Sequence, residues 1–279
     1  MRQLRGLKAV LTGASGGIGP FLAEALAREG MELLLVAHPG VGLADVASGI
    51  HRHGVQSRIL IADLGEPDEC ARTAEHARHE LGSVDVLVNN AGVELSQPYH
   101  QLAEQQLRHI VAVNLVAPML LTRLLLPGML ERRQGHIVNM SSLAGKSGPA
   151  YQEPYAATKA ALTAFTFSLR ATYRGTGVSA SVICPAFVEA GIYTRLKQRS
   201  GATAPAALAG CPPTRVADAV LRALRRDVPE IIVNRWPLGL ALALSTWSPR
   251  FGAWLTRVLG VNEFFRRVAA AGPGEGRRP

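Results

Sequence analysis

Short apolar runs alternate along this chain with longer stretches in which apolar residues recur every three or four positions. Leu7–Thr12, Met31–Ala37, Arg58–Leu64, Val84–Asn89, Gly135–Met140, Val178–Cys184 and Glu230–Asn234 are rich in Val, Leu and Ile. Their apolar character is nearly continuous, which suits strands buried on both faces. Helical periodicity lies between them, at Pro20–Ala27, in the stretch up to His53, at Pro67–Leu81, at Glu104–Met129, from Glu153 onward and at Thr214–Arg226. Pro154 falls in the first turn of its helix, where a missing N–H is harmless, and Thr214 is the expected N-cap of the last. His38-Pro39-Gly40 reads as the end of the second strand. Residues 190–213, with Gly201, Gly210 and three prolines (Pro205, Pro212, Pro213), read as a loop-rich flap. Strands alternating with helices predict an α/β fold with a doubly wound parallel sheet.

Composition adds bounds. The 279 residues are 48% hydrophobic and 18% charged, enough for one large domain or two small ones. Cys70, Cys184 and Cys211 are far apart and suggest a reducing compartment without a disulfide framework. The apolar run at the N-terminus is too short for a secretory signal. The formal charge of +9 is uneven: residues 1–194 hold 16 basic and 16 acidic residues, and residues 195–279 hold 14 and 5. A basic last third suits an anionic membrane surface, nucleic acid or an acidic substrate, and equally a solvated arginine face. No nucleic-acid partner is expected. His76, His79 and Glu80 tempt a metal reading, but they sit in a strongly polar helix and no His-Glu-x-x-His occurs, so no metal is assigned.

Two stretches carry chemistry. The first strand breaks at Gly13-Ala14-Ser15-Gly16-Gly17-Ile18-Gly19 and a helix follows. That arrangement offers backbone N–H groups and a helix N-terminus to a phosphate. No Gly-Lys-Ser/Thr follows, so it is not a P-loop. The second stretch runs from Ser141-Ser142 to Tyr155 and Lys159. Tyr155 lies thirteen residues after Ser142, and Lys159 shares its helix face at i+4. A free tyrosine has a pKa of about 10. A nearby ammonium lowers it, and a serine hydroxyl holds a substrate oxygen. These are the parts needed to protonate an oxygen while a hydride arrives at carbon. Asn89-Asn90-Ala91-Gly92 follows the fourth strand, and Asn114 stands among apolar neighbours, where it needs a partner.

Thr12-Gly13-x-x-x-Gly17-Ile18-Gly19, Asn89-Asn90-Ala91-Gly92, Asn114, and Ser142 with Tyr155-x-x-x-Lys159 together resemble the short-chain dehydrogenase/reductase family. The resemblance covers about five-sixths of the chain. It implies a seven-stranded parallel Rossmann-type sheet of order 3-2-1-4-5-6-7, a nicotinamide dinucleotide and a homodimer or homotetramer. It implies Tyr155 as acid/base, Ser142 as the positioner of the reacting oxygen, and Asn114 as the completion of a proton relay. Lys159 would lower the tyrosine pKa and bind ribose. The implied cofactor contacts are Gly13, Ser15, Gly16, Gly17, Ile18, Gly19, His38, Asp63, Leu64, Asn90, Ala91, Gly92, Tyr155, Lys159, Pro185 and Val188. Two departures stand out. The family's Pro-Gly after the sixth strand is Pro185-Ala186 here, and its following threonine is replaced near Glu189-Ala190. The second strand ends at Ala37-His38 with no acid to repel a 2′-phosphate, so the expected cofactor is NADP(H) rather than NAD(H).

Three segments are expected: a catalytic domain over 1–234, an apolar and basic helical extension over 235–270, and a disordered tail over 271–279. The uncharged run between Arg235 and Arg250 is 14 residues, short of the roughly 20 needed to span a bilayer. Phe251, Trp254, Leu255, Val258 and Phe265 fall on one expected helical stripe beside Arg257, Arg266 and Arg267. Such a stripe suits a lid over an apolar substrate, a subunit contact or an interfacial helix, the first two being preferred. The expectation is a cytoplasmic enzyme, with peripheral membrane contact through 235–270 left open. It would interconvert a ketone or aldehyde and an alcohol on a largely apolar lipid-, steroid- or acyl-like substrate. A non-catalytic dinucleotide-binding scaffold or sensor is the alternative, disfavoured because a sensor needs no proton relay.

Overall fold

A computed structural model of the protein describes residues 3–38, 42–234 and 237–272. The expected turn at Pro39-Gly40, the junction Arg235-Trp236 and the tail from 273 lie outside the described residues. The elements in chain order are β1 (Lys8–Thr12), α1 (Gly19–Arg28), β2 (Glu32–Ala37), α2 (Leu43–Ile50), β3 (Ser57–Ile61), α3 (Pro67–Leu81), β4 (Val86–Asn89), α4 (Glu104–Val111) and α5 (Ala117–Glu131). Then come β5 (Gly135–Met140), α6 (Ala144–Ser147), α7 (Glu153–Thr172), β6 (Val178–Pro185), α8 (Ile192–Ser200), α9 (Pro213–Arg226), β7 (Glu230–Val233), α10 (Gly239–Trp247), α11 (Pro249–Val258) and α12 (Val261–Ala270).

The seven strands form one parallel sheet in the order β3-β2-β1-β4-β5-β6-β7. Period-two alternation sends neighbouring side chains to opposite faces. Leu11, Leu33, Leu35, Val88, Val138 and Ile183 meet α1, α2 and α9 on one face. Val10, Leu34, Val36, Leu87 and Ile137 meet α3 and α5 on the other. Both faces are covered, so the strands read as continuous apolar runs. Only edge strand β3 shows large apolar side chains to solvent, Ile59 and Ile61. The chain reverses its direction of strand addition between β1 and β4, and such a switch point opens a crevice at the strands' C-terminal ends.

Four details differ from the sequence pattern. The stretch Glu104–Met129 is not one uniform helix: a π-helical turn, Ala112–Val116, separates α4 from α5 and carries Asn114. The joined run Glu104–Glu131 is long and apolar enough to cross a bilayer, but its most apolar window is half buried inside the protein, as in a core helix. Thr214 does not cap α9; Pro212 holds that place and Pro213 begins the helix, because a proline's fixed φ favours the first position. The flap contains a helix, α8, with Tyr193 and Leu196 buried. Finally, the apolar stripe of the extension is broken at Leu259-Gly260, where Gly260 takes φ +75°. Phe265 is buried in α12, while Trp254 and Val258 of α11 are exposed.

The extension is bound to the flap. Phe264, Phe265 and Val268 of α12 form a small core with Tyr193 and Leu196 of α8. Phe187 stands at its centre, 5.3 Å from Tyr193 and 5.1 Å from Phe264 between ring centroids, both edge-on. The three cysteines are free and buried.

A buried polar tie joins the sheet to α7. Asn89 Nδ2 donates to Asn139 Oδ1 at 2.8 Å, and Asn139 Nδ2 donates to Thr166 Oγ1 at 2.8 Å. Asn139→Leu strands the Asn89 amide in the core. It should lower stability by about 1–3 kcal/mol, read as a fall in the urea midpoint; an unchanged midpoint would show that the tie contributes nothing.

Candidate active site

The crevice begins where β1 ends. Gly13 takes φ +64°, and a Cβ there would lie 2.8 Å from Ala91 Cα. The turn after β1 therefore lies directly on the turn after β4. Thr12 Oγ1 accepts from the Asn90 and Ala91 amides at 3.0 and 3.1 Å, and Asn90 Nδ2 donates to the Thr12 and Gly13 carbonyls. Gly19 has no room either: its Cβ would sit 2.1 Å from Gly13 O. Helix α1 starts there without a side-chain cap or an acid in its first turn. The N–H groups of Gly19, Phe21 and Leu22 bond back to Gly16 O and Ile18 O, so the backbone that can approach a pyrophosphate closely is the glycine turn ahead of the helix. Gly17 faces Gly191 of the flap so closely that a Cβ on Gly191 would lie 2.6 Å from Gly17 Cα.

Farther along, β5 delivers two serines with different duties. Ser141 is buried and bonds back to α7, donating to Lys159 O at 2.8 Å and pairing with Thr163 Oγ1 at 3.0 Å. Ser142 Oγ accepts from the Ala144 amide at 3.1 Å and bonds the Tyr155 hydroxyl. Lys159 Nζ donates to Met140 O at 2.8 Å and lies 5.6 Å from the Tyr155 ring centroid.

Electrostatics here differ from the expectation that Lys159 lowers the tyrosine pKa. Burial pushes the Tyr155 phenol up to about 12; the Ser142 bond lowers it and the Glu94 carboxylate raises it. Burial pushes the Lys159 ammonium down to about 8. An ordinary tyrosine is already protonated at neutral pH, and this shift makes Tyr155 hold its proton more firmly.

One cavity of about 750 Å³ joins these parts. Its lining includes Gly13, Ser15, Gly16, Gly17, Ile18, His38, Asp63, Leu64, Asn90, Ala91, Gly92, Ser142, Tyr155, Lys159, Pro185 and Val188. Gly19 and Asn114 stand outside it. Asn114 is fully buried; its Oδ1 accepts from Val93 N at 2.8 Å and its Nδ2 donates to Val93 O at 2.9 Å. It holds the Ala91–Val93 segment rather than facing the cavity. Just after β2 and β3, His38 Nε2 lies 3.4 Å from Asp63 Oδ2. No cluster of three His, Cys, Asp or Glu able to hold a metal occurs among the described residues.

The profile of the short chain dehydrogenase family matches residues 8–201. This chain belongs to the short-chain dehydrogenase/reductase family. Ketoacyl reductase HetN of a Nostoc species is 35% identical over 274 residues, 96% of this chain and 94% of the relative. That coverage runs into the C-terminal extension. A metagenomic short-chain oxidoreductase crystallised with NADP superposes with TM-score 0.71 at 32% identity, over 83% of this chain and 98% of its own. Actinorhodin polyketide ketoreductase with NADPH gives TM-score 0.76 at 27% identity, over 84% and 98%. Like its relatives, this short-chain dehydrogenase/reductase is an oxidoreductase acting on carbonyl and alcohol groups.

Sequence reasoning missed one residue of this oxidoreductase's cavity. Gln152, almost fully buried, donates to Glu94 Oε1 at 2.6 Å and to Ser96 Oγ, and so holds a carboxylate near Tyr155. Nothing in the local pattern distinguishes Gln152 from an ordinary loop amide. The extension, for which a lid was one expected role, contributes Leu238, Leu242, Leu255 and Leu259 to the same lining.

The buried Lys159 makes a pH prediction. In the unfolded chain it keeps its proton up to 10.5, but in the fold only up to about 8. Between those values the unfolded state binds more protons, so this residue makes stability rise with pH. The raised Tyr155 opposes it only above its ordinary value near 10. Stability measured from pH 8 to 10 should therefore climb relative to a Lys159→Met variant. A flat difference would show that the ammonium is not strained by burial.

Proposed function

We propose that the protein is an NADP(H)-dependent enzyme that interconverts a ketone and an alcohol on a long apolar, acyl-like chain. The observation that carries this reading is the single cavity that runs from the glycine turn at Gly13–Ile18, past Ser142 and Tyr155, to leucines of the extension. The names of a ketoacyl reductase and a polyketide ketoreductase among its relatives support an oxo-acyl substrate.

In the reducing direction a nicotinamide dinucleotide held along the Gly13–Ile18 turn would supply hydride to the carbonyl carbon. Ser142 holds the carbonyl oxygen, and the Tyr155 phenol gives that oxygen its proton. Lys159, held by Met140 O, offers its ammonium to the ribose and to the tyrosinate left behind. Ser141 and Asn114 are positioning residues, the first fixing α7 against β5 and the second fixing the loop after β4. The balance is ketone, NADPH and a proton giving alcohol and NADP⁺.

Preference for NADP(H) rests on the end of β2. Ala37 and His38 carry no acid there, and a 2′-phosphate would draw the His38 imidazole from Asp63. Two structural relatives carry NADP or NADPH. NADPH should therefore bind more tightly than NADH in a fluorescence titration, and His38→Asp should reverse the order. Tighter NADH binding by the unaltered protein would refute the reading.

Turnover is tested with 3-oxoacyl thioesters of increasing chain length, followed by loss of nicotinamide absorbance. The specificity constant should rise with chain length. Tyr155→Phe should cut turnover by about 100-fold or more and leave NADPH affinity nearly unchanged. Substantial residual turnover in that variant would remove Tyr155 from the acid role.

A further inference from the structure

Helices α10 and α11 pack as a hairpin, with Gly252 allowing close approach to Ser245. The two faces of the hairpin differ in duty. Leu238, Ala241, Leu242, Leu255 and Leu259 line the cavity. The opposite side is also apolar, although it faces solvent. Leu240 is 77% exposed and Trp247 86%, with Leu244, Trp254 and Val258 beside them in exposure. Leu240, Leu244 and Trp247 follow i, i+4, i+7 spacing, so they form one crest along α10. Helix α10 buries no residue fully. A helix pair whose inner face alone met the protein would carry polar residues outside.

Charge on this surface has one sign. No Asp or Glu occurs between 237 and 262. Arg250 and Arg257 are exposed and have no carboxylate partner among the described residues, whereas Arg266 and Arg267 pair with Glu263 at 2.7 and 2.9 Å. Tryptophan, leucine and unpaired arginine on one amphipathic surface are the elements of an interfacial helix. The arginines complement anionic headgroups, and the crest suits the acyl boundary beneath them. A second copy of this chain would set Arg250 and Arg257 against their own kind unless it brought acids from elsewhere.

We infer that the α10–α11 hairpin is a docking surface for an anionic lipid bilayer. Docking seats the outer wall of the catalytic cavity in the membrane interface. Resting on the proposed function, this assigns the substrate to carbonyl or alcohol chains that partition into the bilayer.

Two of the three tryptophans, Trp247 and Trp254, fall in this hairpin and the third, Trp236, precedes it by three residues in sequence, so intrinsic fluorescence reports on this part of the chain. Full-length protein is mixed with vesicles of phosphatidylcholine and phosphatidylglycerol, or of phosphatidylcholine alone. Binding is followed by flotation and by the emission maximum. The anionic vesicles should carry the protein upward and shift emission to the blue, with weaker binding to neutral vesicles and in high salt. Leu240→Ser with Leu244→Ser, and separately Arg250→Glu with Arg257→Glu, should each weaken binding by at least about tenfold. These side chains lie outside the cavity lining, so turnover of a short water-soluble ketone should stay unchanged. Unshifted emission and no flotation would overturn the docking. So would a leucine variant that turns a lipid-free oligomer into a monomer, because the crest would then be a subunit contact. Vesicle binding without turnover of any carbonyl would instead reject the catalytic reading and leave the docking standing.

Discussion

The backbone of Gly13 lies against Ala91 at a distance that admits no side chain, and the geometry of the site follows from that approach. The turns after β1 and β4 are pressed together at the switch point of the sheet, where Thr12 and Asn90 bond them in both directions. A Cβ at Gly13 would drive the turns apart and take with them the N-terminus of α1. Strain is kept low because glycine accepts the left-handed conformation needed there. The rest of the glycine turn is a consequence: Gly19 beneath the Gly13 carbonyl, and Gly17 against Gly191.

The reacting end depends on how α7 is held. Ser141 and Asn139 fix the helix to β5, and the Lys159 ammonium returns the contact at Met140 O. Three bonds between one strand and one helix leave little freedom for Tyr155, which preorganises its hydroxyl next to Ser142. Burial that raises the phenol and depresses the ammonium is the cost of this seat. The same burial makes the phenol hold its proton more firmly than an ordinary tyrosine does. Glu94, held by Gln152, adds to that effect.

The extension changes the character of the cavity. Its α12 is anchored through the aromatic cluster around Phe187, and its hairpin supplies leucines to the wall. An apolar wall favours ligands with long hydrocarbon parts, because each buried methylene contributes about 0.8 kcal/mol. The short distance in sequence between the inner leucines and the exposed crest means that one small structural unit faces both ligand and surroundings.

How much was legible depended on how local the cause is. Continuous apolar runs and 3.6-residue periodicity set out the strands, the main helices and the parallel α/β class, since burial on two faces leaves a mark on every residue. The glycine turn and the Ser142, Tyr155, Lys159 set were legible because spacing on one strand and one helix carries them. Tertiary structure decided what depends on neighbours far along the chain. Asn114 turns to Val93 from the π turn between α4 and α5. The spacing led to a lowered Tyr155 pKa, whereas burial raises it, because desolvation is a sum over surrounding atoms and not a property of the pair. The extension offered one apolar stripe in sequence, yet Gly260 broke it. Its inner and outer leucines look alike in sequence, and only packing against α8 and α6 separated them.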